Sequence, residues 1–430
     1  MYDKIKTLIN NNMDKVSAYA ALVGGAAGRL VVSLVYFISI ANTLAVEDFG
    51  LFATASATGI VISRFFAFGF TSPLYRIATA KRRLLGVYTS GMIVGGILSL
   101  PIMALAAYLV FLMLFEDQMT ALAFACIVFA EILFWRSMEI VAIILNGVYK
   151  FGVASILVII ATMMKMFAAF GFAFFSTALL EDWAVYYIIA NATSALLAVA
   201  FFYPSVRLRW RPSLYLARWV DSLAVASAEF VYFAQSELDK IVVLAIGGPQ
   251  IAGLYAILIR LVDLTALPVR SLLTLVIQQI LCKKSTIQSM KNRFLIEGTI
   301  VIISFTGIMA MAIFIMLFPN VLGEQVSQIA PYLFILALVP CFRNLIEYHS
   351  ELLYAINRTL LRTSNAALIG VMKVGLLTWI LKTFNTGIEG DDGSWLIMIN
   401  VMFGMLYVTS ILLTYPAMRK VAPIIKKQSA

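Results

Sequence analysis

Residues 81–117 read KRRLLGVYTSGMIVGGILSLPIMALAAYLVFLMLFED. Between the basic triplet Lys81-Arg82-Arg83 and the acidic pair Glu116-Asp117 lie more than thirty residues without a single Asp, Glu, Lys, Arg or His. A helix rising about 1.5 Å per residue needs about 20 such residues to cross a hydrocarbon core about 30 Å thick. The stretch therefore reads as a membrane span with a basic end and an acidic end.

The same reading extends along the whole chain. Of its 430 residues 62% are hydrophobic and 13% charged, and the mean hydropathy is +0.95, more apolar surface than a water-soluble core could bury. Twelve spans are predicted, over 18–45, 50–78, 85–115, 119–146, 151–176, 183–203, 219–246, 250–281, 295–318, 328–356, 360–382 and 394–416. Strands are excluded because spanning strands would show short alternating segments. One set of loops carries the basic residues, among them Lys4, Lys6, Lys150, Arg207, Arg209, Arg211, Arg218, Lys283, Lys284, Arg358, Arg419 and Lys427. The alternate loops hold no Lys or Arg but carry Glu47, Asp48, Glu116, Asp117, Glu181, Asp182, Glu324, Glu389, Asp391 and Asp392. The net charge of +10 is thus a positive-inside signal rather than a nucleic-acid footprint, and it places both termini in the cytoplasm.

The basic segment 204–218 divides the chain into an N-lobe over 17–203 and a C-lobe over 219–416, six spans each. An amphipathic surface segment over 1–16 precedes them and a basic tail over 417–430 follows, both expected in the cytoplasm. The halves resemble each other. Phe49-Gly50-Leu51-Phe52-Ala53 corresponds to Ala252-Gly253-Leu254-Tyr255-Ala256, with the glycines 203 residues apart. Arg136 and Arg343 are 207 apart, and Lys165 and Lys373 are 208 apart. Six spans per half make the repeats parallel, an arrangement that puts a substrate path between lobes. The outward loops leave no room for an extramembrane catalytic domain.

No phosphate loop, HExxH or GxSxG elbow occurs, and the three cysteines form no CxxC pair, so no enzyme, cofactor or metal site is expected. His349, the only histidine, reads as a hydrogen-bonded interior residue rather than a proton carrier. The informative positions are charges within spans, which are costly unless they face a cavity or a partner. Arg29, Arg64 and Arg260 all fall near mid-span. Arg29 reads as a cavity cation or as a group closing a gate. Arg260 has Asp263 three residues away, within ion-pair reach. In the seventh span Glu229, Glu237 and Lys240 share one face and Asp239 points elsewhere; with Asp263 they are candidates for ion coupling. Glu131, Arg136 and Glu139, and Arg343, Glu347 and Glu351, read as lobe scaffold, with Glu131 paired to Lys165 and an acid paired to Lys373.

With Glu47-Asp48-Phe49-Gly50-Leu51-Phe52 entering the second span, and Glu237-Leu238-Asp239-Lys240 followed by Ala252-Gly253-Leu254-Tyr255-Ala256 entering the eighth, the chain resembles the polysaccharide-transporter branch of the MOP flippases, the Wzx-type O-antigen flippases. The resemblance implies an all-α polytopic fold and export of an undecaprenyl-pyrophosphate-linked glycan for lipopolysaccharide O-antigen or exopolysaccharide. Transport would cross the bacterial inner membrane by alternating access, coupled to H⁺ or Na⁺, alongside polysaccharide-assembly proteins. It also places Arg29, Arg64 and Arg260 where related flippases hold cavity cations. Arginine suits the diphosphate independently, because it pairs with phosphate oxygens bidentately. Two rivals remain: a MATE-like cation or drug antiporter, which should present an acidic cavity, and a membrane polysaccharide polymerase, which would need a sizeable outward loop.

Overall fold

The computed structural model describes residues 13–266, 268–270, 272–273, 290–319, 322–328, 330–356, 358–384 and 394–428. Most of the predicted surface segment 1–16, the lysines at 283 and 284 and the loop 385–393 lie outside these residues. Every regular element among the described residues is helical.

The first half contains α1 (Met13–Thr43), α2 (Val46–Ile62), α3 (Thr71–Ala80), α4 (Leu85–Leu114), α5 (Ala121–Phe129), α6 (Arg136–Gly147), α7 (Phe151–Phe175) and α8 (Leu180–Leu197). Glu47 and Asp48 occupy the first turn of α2, and Glu181 and Asp182 that of α8, where carboxylates complement the helix dipole. Thr120 caps α5 by accepting from the Ala123 amide at 3.4 Å. The second pass is not one straight helix: a 3-10 segment, Ser63–Gly69, interrupts it between α2 and α3. A π turn, Ala130–Trp135, joins α5 to α6 within the fourth pass.

The second half contains the single turn α9 (Pro212–Leu216), α10 (Trp219–Thr265), α11 (Met290–Leu317), α12 (Glu324–Gln328), α13 (Ala330–Ile335), α14 (Val339–Ala355), α15 (Thr359–Thr383) and α16 (Ser394–Gln428). α10 has 47 residues, about 70 Å of helix and twice what a bilayer needs. It is two passes: Gly248 leaves helical geometry at φ 77°, ψ 178°, and Pro249 follows. The expected tenth span, 328–356, is assembled from α13 and α14 rather than from one rod, with α12 just before it. Eight helical stretches among the described residues are long and apolar enough to cross, the broken second pass and α10 among them. Counting α10 twice and adding the first, fourth and tenth passes gives about twelve, so the chain is a multi-pass membrane protein.

Two compact units divide the chain. The first comprises Met1–Thr43 with Thr58–Phe230 and the second Leu44–Ala57 with Val231–Ala430. In the first, α1 lies along α7, which packs against α8; Met138, Val141 and Leu145 of α6 meet Leu157 and Ala161 of α7. The segment 204–218, expected to be a linker, packs on the first unit through Tyr215, whose ring lies 4.5 Å from that of Phe70. In the second unit α14 packs on α11 and α16, with Ile300, Leu345, Tyr348 and Leu352 in its core. Leu44–Ala57 joins this unit through glycine: a Cβ on Gly50 would strike the Pro249 carbonyl, and one on Gly253 the Val46 carbonyl. Only glycine permits backbones to approach so closely.

Candidate functional site

The interruption after Arg64 organises the first unit's polar interior. Phe66 is extended (φ −54°, ψ 130°), and Ala67, Phe68 and Gly69 then take φ of 51°, 49° and 74°. Two side-chain-bearing residues in the left-handed region cost about 1–3 kcal/mol each, so the surroundings must hold them. The Ala67 amide, released from the helix ladder, donates to Ser99 Oγ at 3.0 Å. The Phe70 amide closes the turn onto the Ala67 carbonyl at 3.0 Å. Gly69 is required twice over, because a Cβ there would also meet the Ser222 carbonyl and Ala226. Irregular backbone at membrane depth is tolerated where protein surrounds it, as here.

Arg64, at this break, is buried and belongs to an alternating chain of four charges. Its Nη1 donates to Glu139 Oε2 at 3.1 Å and Oε1 at 3.3 Å. Arg136 Nη1 donates to the same Glu139 Oε2 at 2.7 Å, and its Nη2 to Glu229 Oε2 at 3.0 Å. The arginine side chains are 3% and 1% exposed, whereas Glu139 and Glu229 are 30% and 38% exposed. The cations are therefore held in the dry part of the site and the acids face outward. Formal charge cancels within the set, the condition under which charges persist in an apolar interior. Arg136 Nε finds no hydrogen-bond partner among the described residues.

The π turn explains why neighbouring acids serve different networks. Its extra residue changes the helix phase between Glu131 and Arg136. Glu131 faces α7 and α8, where Tyr187 donates its hydroxyl to Glu131 Oε1 and accepts from Lys165 Nζ at 3.1 Å. Lys165 lies 3.9 Å from Glu131 and 3.7 Å above the Trp135 ring. The expected Glu131–Lys165 pair is present, with a tyrosine inserted into it. Gly59 admits this arrangement, since a Cβ there would come within 2.8 Å of Glu131 Cβ.

The second unit holds the remaining candidates. Lys373 Nζ meets the fully buried Asp239 at 2.7 Å, and Tyr255 donates to the same carboxylate at 2.9 Å. Lys240 pairs with Glu237 at 2.6 Å. Asp263 pairs with Arg343 of α14 at 3.0 Å, a partner beyond the local Arg260 that spacing suggested. Glu347 pairs with Arg270 and Glu351 with Arg362. A polar cavity of about 90 Å³ is lined by Ser236, Asp263, Arg270, Arg343, Glu347 and Lys373. His349 is interior, as expected, and bonded to Glu297 at 3.2 Å and Ser410 at 3.0 Å.

Of the three expected phosphate-binding arginines, Arg29 is exposed, Arg260 half-buried and Arg64 buried in the charge chain. Arg29 and Arg64 belong to the first unit and Arg260 to the second. Glu229 joins the Arg64 network, while Glu237, Asp239, Lys240 and Asp263 all engage cations or acids of the second unit. Sequence reading assigned Arg136 and Glu139 to scaffold, yet they are the direct neighbours of Arg64. Their link spans 75 residues, a separation at which no local pattern is visible.

No family profile matches the chain, and no curated protein matches it by sequence. Solved transporters share its fold. A MOP superfamily transporter from Pyrococcus furiosus, described as having a binding pocket of reversed polarity that suggests a different function, matches with a TM-score of 0.62 at 15% identity, over 94% of this chain and 96% of the other. The lipid II flippase MurJ in an inward closed conformation matches with a TM-score of 0.62 at 12% identity, over 92% and 87%. An inward-facing multidrug resistance MATE transporter of the MOP superfamily matches with a TM-score of 0.55 at 14% identity, over 95% and 96%. The fold is thus that of the MOP transporters: all-α, with about twelve membrane helices.

Proposed function

We propose that the chain is a flippase that carries an undecaprenyl-pyrophosphate-linked oligosaccharide across the bacterial inner membrane by alternating access, with both termini in the cytoplasm. The observation that carries this reading is the state of the acids. Among the described residues, and apart from the acids at 47–48 and 181–182 in the end turns, every carboxylate within a membrane pass contacts a cationic or imidazole partner. A transporter of cationic drugs needs an acid left to receive the drug, and these acids are already matched. An anionic substrate instead needs guanidinium groups within reach. Arg29 is exposed and Arg260 half-buried, and both can meet a diphosphate bidentately. Arg64 is more buried than either, and a phosphate reaching it would compete with Glu139 for the same Nη1. Glu229, Glu237, Asp239, Lys240 and Asp263 are the groups through which H⁺ or Na⁺ coupling would act, each already tied to an ion pair that protonation or Na⁺ would loosen.

The test is surface glycan display in a bacterial strain lacking its own flippase, normalised to membrane abundance of the introduced chain. Wild type should restore display. Arg29→Ala, Arg64→Ala and Arg260→Ala should abolish it, and the corresponding lysine variants should retain less than charge conservation implies. Extrusion of a cationic dye, without glycan display, would replace this reading with the drug-antiporter one.

A further inference from the structure

Outside the charge networks, the first unit contains a cavity of about 600 Å³ whose walls include Phe66, Gly96, Leu100, Ile140 and Val199. Its lining is almost wholly apolar. Two of its few polar groups are spent on each other, since the Tyr203 hydroxyl bonds Thr89 Oγ1 while Thr89 donates to the Leu85 carbonyl. A polar ligand would find little to bond; a hydrocarbon chain would fit. The cavity falls within the range of small-ligand pockets. Exposed Ile93 and Ile97 lie at its border.

One end is closed by the non-helical run from Pro204 to Leu208. The sequence here alternates: Val206, Leu208 and Trp210 are interleaved with Arg207, Arg209 and Arg211. In an extended chain alternate side chains project to opposite sides. Val206 and the exposed Leu208 line the cavity, which the three arginines, also exposed, do not. The strap is pinned: the Arg207 backbone lies where a Cβ on Gly86 would stand, and Trp210 rests on Tyr215 at 6.3 Å. Gly86 begins α4 just beyond Arg82 and Arg83, so two basic runs converge at one end of the hydrocarbon-lined groove. Exposed Trp210 and Trp219 mark that end as the level where a bilayer turns from chains to headgroups.

We infer that this groove is a binding site for an anionic phospholipid of the bilayer, one acyl chain lying along Phe66, Leu100 and Val199 and the phosphate held by Arg207, Arg209 and Arg211. The apolar walls select a chain, the arginine ledge selects a negative headgroup, and bilayer lipid is the amphiphile present in excess around an open groove. The site does not depend on the cargo proposed above.

The purified full-length chain, delipidated in detergent and exposed to equimolar phosphatidylglycerol and phosphatidylcholine, should retain phosphatidylglycerol at least tenfold more in native mass spectrometry. R207Q/R209Q/R211Q should erase that preference while still retaining lipid. Ala200→Trp, at an exposed small residue of the wall, should fill the groove and cut retention of both lipids; Ile97→Trp serves if that variant does not fold. Equal retention of the two lipids by wild type overturns the inference, as does unchanged selectivity in the triple variant. Displacement of phosphatidylglycerol by equimolar undecaprenyl phosphate also overturns it, and would give the groove to the tail of a transported lipid.

Discussion

Gly50 and Gly253, the glycines at matching positions of the two internal repeats, stand against one another in the second unit, so a methyl group on Gly50 would enter the space of the Gly253 amide. The repeat visible in sequence is thus a self-contact in space. Gly253→Ala should destabilise the folded chain by about 1–3 kcal/mol through overpacking against backbone that cannot yield. Gly375→Ala, where nothing lies within 4 Å of the added carbon, should leave stability unchanged or raise it slightly. Thermal unfolding in detergent distinguishes the two.

Lys165→Met removes the cation of a buried pair and leaves the Glu131 carboxylate, which also accepts from the Tyr187 hydroxyl, without it. The expected cost is about 3–5 kcal/mol, seen as lost folded protein rather than lost transport per molecule. Adding Glu131→Leu should recover part of the yield, since no charge then remains stranded. Normal abundance of Lys165→Met with no export would move this pair from scaffold to mechanism.

Glu139 accepts from both Arg64 and Arg136, whereas Glu229 accepts from Arg136 and is the more exposed acid. Glu139→Gln should therefore lower the unfolding temperature more than Glu229→Gln. If the two are equal, Arg64 does not depend on Glu139 for its charge.

At the break in the second pass, Ala67→Gly and Phe68→Gly relieve positive φ at residues that carry a Cβ. Ala67→Gly should stabilise by about 1 kcal/mol, the left-handed penalty of an L-residue. Gly69→Ala should destabilise through both its φ and its contact with Ser222. Should Ala67→Gly melt lower than wild type, the geometry described for this turn is wrong.

In a background with Cys126, Cys282 and Cys341 replaced, a cysteine at Ser213 should resist a membrane-impermeant thiol reagent added from the periplasm and react after the cells are opened. Labelling from the periplasm would invert the orientation argued from the arginines of 207–218.

The twelve-pass pattern was legible because lipid leaves a backbone few choices: each span must satisfy its own hydrogen bonds and be long and apolar, and its flanking charges report orientation. Glu131–Lys165 was legible for a related reason, since a short turn forces neighbours to pack antiparallel. Arg64–Glu139 was not. It depends on two departures from regular helix, the left-handed residues at 67–69 and the π turn at 130–135, and only Gly69 marks the first in sequence. Asp263 lies within reach of Arg260 along its own helix, but the approach of Arg343 from α14, 80 residues on, has no local signature. The strap at 204–211 was read for its charge alone, and the alternation that sets its apolar side on the groove went unused.

Because Glu139 serves two arginines and Arg136 serves two carboxylates, the four charges of the first unit form a hand-over-hand linkage. If a helix slides so that Arg64 loses Glu139, Glu139 still holds Arg136; if Glu229 swings away, Arg136 keeps Glu139. A single rupture leaves neither Arg136 nor Glu139 without a partner, so at these two groups the toll of a conformational step is spread over several small exchanges instead of falling on one. Asp239, fully buried and held by both Lys373 and Tyr255, resists being pulled from its partners. The first arrangement suits a part that must rearrange, and the second a part that must stay put.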